Sequence, residues 1–386
     1  MFPETVVTHW DRACGGDTDV SPPIHQTTTF LAKDDEAFSH MAATPRHDRY
    51  YTRDGNPTVT RVETVVAALE GGESALLTAS GMGAISTAVL ALVTKGDHVI
   101  AQRNHYMGTT QLLDRMLPRF GIDVTLVDNT ESRAIEEAFR ANTRLVIVET
   151  PANPLLTLTD LSEVVRLARM HQAVTLCDST IATPINQRPL SLGVDLVVHS
   201  ATKFLGGHHD VMAGVVVGTR ELLERIWNSH VVLGSVADPH AAWLLLRGLR
   251  TLPLRIERQN QTALRVATYL NEHRGVLRVH YPGLSCHPQH ELAARQMPGG
   301  FGGLLSFELK GGYEAGGAFI NRMKLPLRAV SFGGFESLAT QPAAMWLGSL
   351  GPEHAERAGI APGVIRLSVG LEHPEDLLID LDRAIA

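Results

Sequence analysis

The chain has 386 residues, enough for two or three structural units around at least one large core. Its 34 Lys and Arg against 41 Asp and Glu give a formal charge of -7, which offers no cationic excess to nucleic acid or an acidic membrane. Met1-Phe2-Pro3-Glu4-Thr5 is not a basic region leading into an apolar stretch, and no later run is long and uncharged enough to span a bilayer, so a soluble cytoplasmic protein is expected.

Residues 1–60 contain Pro22-Pro23, Pro45 and Gly55-Asn56-Pro57 with little sustained periodicity, and read as an extended arm. From about residue 72 to 218, short Val/Ile/Leu-rich runs alternate with helical periodicity, the pattern of a mainly parallel sheet covered by helices. Strands are expected at Ala75 to Thr78, His98 to Ala101, Val124 to Val127, Leu145 to Glu149, Val174 to Cys177, Leu196 to His199 and Gly214 to Val217. Beyond Asn228, long helices at Ala241 to Arg250 and Arg255 to His273 precede spaced strands at Val276 to Tyr281, Leu304 to Leu309 and Val364 to Val369. The expected organisation is an α/β chain with an arm over 1–60, a large domain over 61–250 and a smaller α+β domain over 251–386. Cys14, Cys177 and Cys286 are odd in number and far apart, which fits three reduced thiols better than a disulfide framework or a zinc site.

In open α/β sheets functional groups gather where strands end at their carboxyl edge. The run ending at Cys177 delivers Asp178, and the run ending at His199 delivers Ser200-Ala201-Thr202-Lys203. An amine there can condense with an aldehyde, and a carboxylate can hold a pyridine nitrogen protonated. A lone lysine is ordinarily a solvated surface group. Here Ser200 and Thr202 are short hydroxyls suited to a phosphate, and Gly206-Gly207 permits close backbone approach. Ser80-Gly81-Met82-Gly83 lies between a strand and a helix, where the first helical amides can receive an anion. Strand, glycine turn and helix is common α/β grammar, and neither the dinucleotide nor the Walker spacing is present. His208-His209-Asp210 offers ligand types for a metal, but adjacent imidazoles do not readily converge on one ion, and no metal is expected.

Together these residues resemble the Cys/Met-metabolism family of pyridoxal phosphate enzymes, which includes cystathionine γ-synthase, cystathionine lyases and methionine γ-lyase. The resemblance runs through Pro22-Pro23-Ile24, Tyr51-Thr52-Arg53-Asp54-Gly55-Asn56-Pro57, Ser80-Gly81-Met82, Tyr106 and Glu149-Thr150-Pro151-Ala152-Asn153-Pro154. It continues through Asp178 to Pro184, His199-Ser200-Ala201-Thr202-Lys203, Ser331-Phe332-Gly333-Gly334-Phe335-Glu336-Ser337-Leu338 and Ile365-Arg366-Leu367-Ser368. It implies fold type I, with Lys203 carrying pyridoxal 5'-phosphate as a Schiff base. Ser80, Gly81, Met82, Ser200 and Thr202 would hold the phosphate, Tyr106 would stack on the ring, Asp178 would pair with its nitrogen, and Asn153 would orient ring and substrate. Arg366 would clamp the substrate carboxylate, with Ser331 and Glu336 nearby. Tyr51 and Arg53 would reach a neighbouring subunit's phosphate, implying a dimer with shared sites, usually within a tetramer.

The chain departs from the family where many members read His-Pro-Ala-Ser-Met-Thr-His and it has Gln341-Pro342-Ala343-Ala344-Met345-Trp346-Leu347. Tyr106-Met107-Gly108 likewise replaces Tyr-Gly-Gly. The resemblance implies elimination or replacement at the γ-carbon of an L-amino acid, with Lys203 as base, Asp178 sustaining the electron sink and Tyr106 assisting proton transfer. The altered segment leaves room for a leaving group other than sulfur. The rival readings are β-elimination from cystathionine or cysteine, and a catalytically silent binding protein on the same scaffold.

Overall fold

The computed structural model describes residues 1–15, 18–128, 131–349 and 359–386. The large sheet has seven strands: β1 (Ser74–Thr78), β2 (His98–Gln102), β3 (Asp123–Val127), β4 (Thr143–Glu149), β5 (Val174–Asp178), β6 (Leu196–His199) and β7 (Gly214–Gly218). Their spatial order is β1-β7-β6-β5-β4-β2-β3. β7 runs antiparallel to both its neighbours, and the other six strands point the same way. The carboxyl ends of those six therefore share one rim.

The strands are apolar almost throughout because both faces are covered. β7 shows how: Val215 and Val217 join the core that includes Val62 and Val66 of the helix Pro57–Glu70, while Val216 turns to the core of the helices Gly81–Leu92 and Arg220–Leu233. Pro57–Glu70 starts at an Asn56 cap followed by proline and stops at Gly71, whose φ of 75° is left-handed.

The smaller sheet contains β8 (Val276–His280), β9 (Leu304–Leu309), β10 (Leu327–Arg328), β11 (Leu338–Thr340) and β12 (Val364–Ser368), ordered β10-β11-β12-β9-β8. β12 lies between β11 and β9, so Arg366 is on a central strand and not on an exposed edge. The short strands β10 and β11 lack the length for a readable alternation.

The stretch expected as an extended arm begins with packed local structure, which its lack of sustained periodicity did not indicate. Pro3–His9 is a helix, a 3-10 turn follows over Trp10–Cys14, and Val6, Val7 and Asp11 are buried. Asp11 accepts hydrogen bonds from Arg250 at 2.9 and 2.8 Å, and Arg61 Nη1 lies 3.6 Å from it. These partners are far away in sequence, and seven helical residues are too few to display a period. The boundary expected at residue 60 also falls inside the helix Pro57–Glu70. No helix among the described residues is long and apolar enough to cross a membrane.

Candidate active site

The rim opens into a cavity of about 830 Å³ whose walls come from β-strand ends of the large domain and from the small domain. After β1, Ser80 caps the helix Gly81–Leu92 by accepting from Gly83 N at 3.0 Å, which turns the first amides of that helix toward the opening. Gly81 has to be glycine: a Cβ there would lie 2.7 Å from Ser200 Cβ, so the turns after β1 and β6 meet without side chains between them. Thr202 backs this wall by accepting from Ala213 N at 3.0 Å and donating to Ala213 O at 3.2 Å.

Lys203 donates through Nζ to Ser331 Oγ at 2.6 Å and sits 5.1 Å above the Phe332 ring. Burial, with the charge of Arg366 as the lesser cause, brings its pKa down to about 8. A much larger fraction of the free amine is therefore available near neutrality than an exposed lysine provides. Arg366 donates to Asn153 Oδ1 at 3.1 Å and to Ser331 O at 2.8 Å. Ser331 is held at a φ of 83°, a conformation that costs a serine energy and that its bonds to Lys203 and Arg366 help to hold.

Asp178 ends β5 and its Oδ1 accepts from Thr180 N at 3.0 Å and from the Thr180 hydroxyl. Burial raises its pKa, while Thr180 and His199 oppose the rise. Its neighbour in register across the sheet is Glu149, at the end of β4. Burial first, and then the charge of Asp178, raise the pKa of Glu149. Tyr106, half exposed, follows β2.

Ser80, Gly81, Met82, Tyr106, Asn153 and Asp178 all line this one cavity, and so do Ser200, Thr202, Lys203, Ser331 and Arg366. Three expected residues do not. Tyr51 and Arg53 stand outside it, with the Arg53 guanidinium 5.2 Å from the Tyr51 ring centre. Glu336 also lies off the cavity, and the next residue, Ser337, donates through its amide to Glu372 at 2.6 Å. His208 directs Nδ1 at Gly206 O, 2.8 Å away.

A partly buried lysine and a buried carboxyl lining one cavity, with a capped helix N-terminus and an arginine on a central strand, are a donor set that fits a phosphorylated pyridine aldehyde. The comparison with known sequences decides the matter, because the model of the Cys/Met metabolism PLP-dependent enzymes matches residues 4–386. The chain belongs to that family. It is 44% identical to the L-methionine gamma-lyase of Fusobacterium nucleatum subsp. polymorphum, over 94% of this chain and 92% of the relative. It is 42% identical to the cystathionine beta-lyase MetC of Bacillus subtilis, over 96% and 93% of the two chains. Among solved structures it superimposes on a putative O-acetylhomoserine (thiol)-lyase from Campylobacter jejuni carrying a pyridoxyl-lysine, with a TM-score of 0.94, 30% identity and full coverage of both chains. It is therefore a pyridoxal phosphate-dependent enzyme, and elimination or replacement at a γ-carbon fits the methionine gamma-lyase and the O-acetylhomoserine (thiol)-lyase among these relatives.

Within this family frame, the departure at Gln341 has a packing role: its Nε2 donates to Tyr313 O and Pro362 O, both at 2.9 Å. The side chains of Trp346 and Leu347 lie outside the described residues. Two buried pairs carried no assigned role in the sequence reading. Gln102 brackets Glu149, accepting from its amide and donating to its carbonyl, both at 2.9 Å. His199 Nε2 meets Glu70 Oε1 at 2.6 Å with both side chains fully buried. An ionisable residue closing an apolar strand run was the available signal for Glu149 and His199, because such groups stay buried only when paired.

Proposed function

We propose that this enzyme removes or replaces a substituent on the γ-carbon of an L-amino acid, in the cytoplasm, as a homo-oligomer whose subunits complete one another's sites. The observation that carries this reading is the convergence of Lys203, Asp178 and Arg366 on one cavity that continues past Tyr106 to Met107, Val330 and Met345. The amides of Gly81 and Met82, with Ser200, would hold the cofactor phosphate, Asp178 its ring nitrogen and Lys203 its aldehyde carbon. Pyridoxal phosphate, when bound, supplies an electron sink that makes protons on Cα, and then Cβ, of an attached amino acid removable.

Arg366 is on a central strand and fixed by Asn153 and Ser331, so its planar fork can receive a carboxylate without reordering. Lys203, with its pKa lowered to about 8, can take the Cα proton on Nζ and return it at a neighbouring carbon. Ser331 Oγ, an acceptor for Nζ at 2.6 Å, limits where that amine can swing. With the carboxylate at Arg366, the side chain of the substrate extends toward Tyr106, whose hydroxyl can deliver a proton to the departing group.

The regiochemistry is read from products formed in deuterated water. Elimination at Cγ should yield a four-carbon keto acid labelled at both Cβ and the terminal carbon, because a second carbanion forms at Cβ. Release of pyruvate alone from every substrate turned over would replace this reading by β-elimination, the activity named for the Bacillus subtilis relative.

A further inference from the structure

Glu149 is buried at the end of β4, and among the described residues the hydrogen bonds to its carboxyl oxygens come from backbone amides. Oε2 accepts from Tyr106 N at 2.7 Å, and Oε1 accepts from Asn153 N at 3.1 Å. These two amides belong to loops that leave different strands, β2 and β4, and that reach the cavity from different directions. The backbone of Glu149 is itself fixed by Gln102, which also donates to Asn104 O at 2.6 Å, so the start of the Tyr106 loop is bound to the same anchor.

From Asn153 the connection runs on through the cavity wall. Asn153 Oδ1 accepts from Arg366, Arg366 donates to Ser331 O, and Ser331 Oγ accepts from Lys203. We propose, building on the reading of Tyr106 and Arg366 above, that Glu149 is a positioning residue whose one carboxyl group sets the aromatic ring and the carboxylate clamp at a fixed separation.

A carboxyl group is suited to this because both amides need an acceptor, and each of its oxygens can accept. A glutamine of the same shape has one oxygen and an NH₂ group, so one of the two backbone donors would face another donor. A buried donor left without a partner moves until it finds one. The displaced loop would then be that of Tyr106 or that of Asn153, and either displacement alters the distance between ring and clamp. His105, whose Nδ1 is 3.9 Å from Glu149 Oε2, is fully buried and kept neutral by burial, with a pKa near 3. It therefore does not supply the charge that would hold Glu149 in place, and the two amides do so.

The test uses the holoenzyme of Glu149→Gln and of Tyr106→Phe, alone and combined, and two readouts. Glycine is the first probe, since it has the α-carboxylate but no leaving group, so its binding, followed by the change in cofactor absorbance, reports the clamp whatever the enzyme eliminates. Glu149→Gln should weaken glycine binding by about tenfold while cofactor content and melting temperature stay near wild type. Turnover of a γ-substituted amino acid is the second readout. The cost of Glu149→Gln on kcat should shrink severalfold in the Tyr106→Phe background, because a residue that acts through another loses its effect once that other is changed. Glu149→Asp, which keeps two accepting oxygens, should recover part of both losses. Fully additive costs with unchanged glycine affinity would overturn the proposal, and so would a loss of cofactor and stability that accounts for every other change. If Tyr106→Phe alone leaves turnover intact while glycine binding still weakens in Glu149→Gln, the catalytic role of Tyr106 fails and the positioning of Arg366 stands.

Discussion

On the large-domain side of the cavity, Asp178 closes β5 while Ser200 and Lys203 follow β6 within four residues; on the other side, Ser331 and Phe332 belong to a loop between short strands. Groups on the first side inherit their position from a parallel sheet packed on both faces, and one local pattern states both the strand and the residue after it. Groups on the second side depend on contacts distant in sequence: Ser331 is held by Lys203, 128 residues away, and by Arg366, 35 residues away. In the reading proposed above, the first wall would supply the chemistry on a rigid frame, and the second the surfaces that meet the substrate.

The sharpest way to break this division is to remove the chemical group and then restore it from another chain. Lys203→Ala should lose at least about 10³-fold in turnover, because no other amine lines the cavity among the described residues. Tyr51 and Arg53, both outside the cavity of their own chain, are expected to serve a neighbour. Mixing Lys203→Ala with Arg53→Ala subunits should then return activity, up to about a quarter of wild type when half of the dimers are hybrids with one intact site each. Activity of each parent alone, measured beside the mixture, is the control. A mixture no better than its parents would mean that Arg53 acts within its own chain.

The same contrast explains what was legible in the sequence. All seven large-domain strands are visible as apolar runs, with ends within two residues of those observed, and Asp178 and Lys203 follow from where two of those runs stop. Arg366 and Ser331 came from family resemblance, since nothing local distinguishes an arginine on a central strand from one on an edge. Glu336 shares the resemblance with Ser331 but does not line the cavity, and its neighbour Ser337 is bonded to Glu372 through amide and hydroxyl. Glu149 appeared in the resemblance without a role because its work is done through two backbone amides, which no residue type announces.

The packing of the N-terminus offers a second test, with its effect on stability instead of chemistry. Asp11 is 1% exposed, with its side chain bonded to the Arg250 fork, so Asp11→Asn would remove the buried carboxylate that Arg250 faces. Removing one partner from such a pair should cost about 3 kcal/mol in urea unfolding. Turnover per folded site should not change, because Asp11 does not line the cavity. A cost below about 0.5 kcal/mol, the range of a surface substitution, would mean that the Asp11 contacts do not anchor this segment.

The smallest expected effect concerns the outer face of the small domain and pH. His280 and His287 both have pKa values lowered to about 4, by burial first and then by Arg278, with His287 adding to the effect on His280 and His290 to that on His287. An unfolded chain binds protons on these imidazoles near the ordinary value of about 6.5, so between pH 6.5 and 4 it takes up more protons than the folded one. Folding stability contributed here is therefore undiminished above about pH 6.5 and falls as pH drops through that window. His105 and His230, lowered to about 3 and about 4, act in the same direction. Melting temperatures measured from pH 7.5 down to 5 should decline, and the decline should be shallower in a His280→Gln, His287→Gln double variant. An identical slope in that variant would assign the acid sensitivity to the large domain, where His105 and His230 lie, and would remove the small domain from the account.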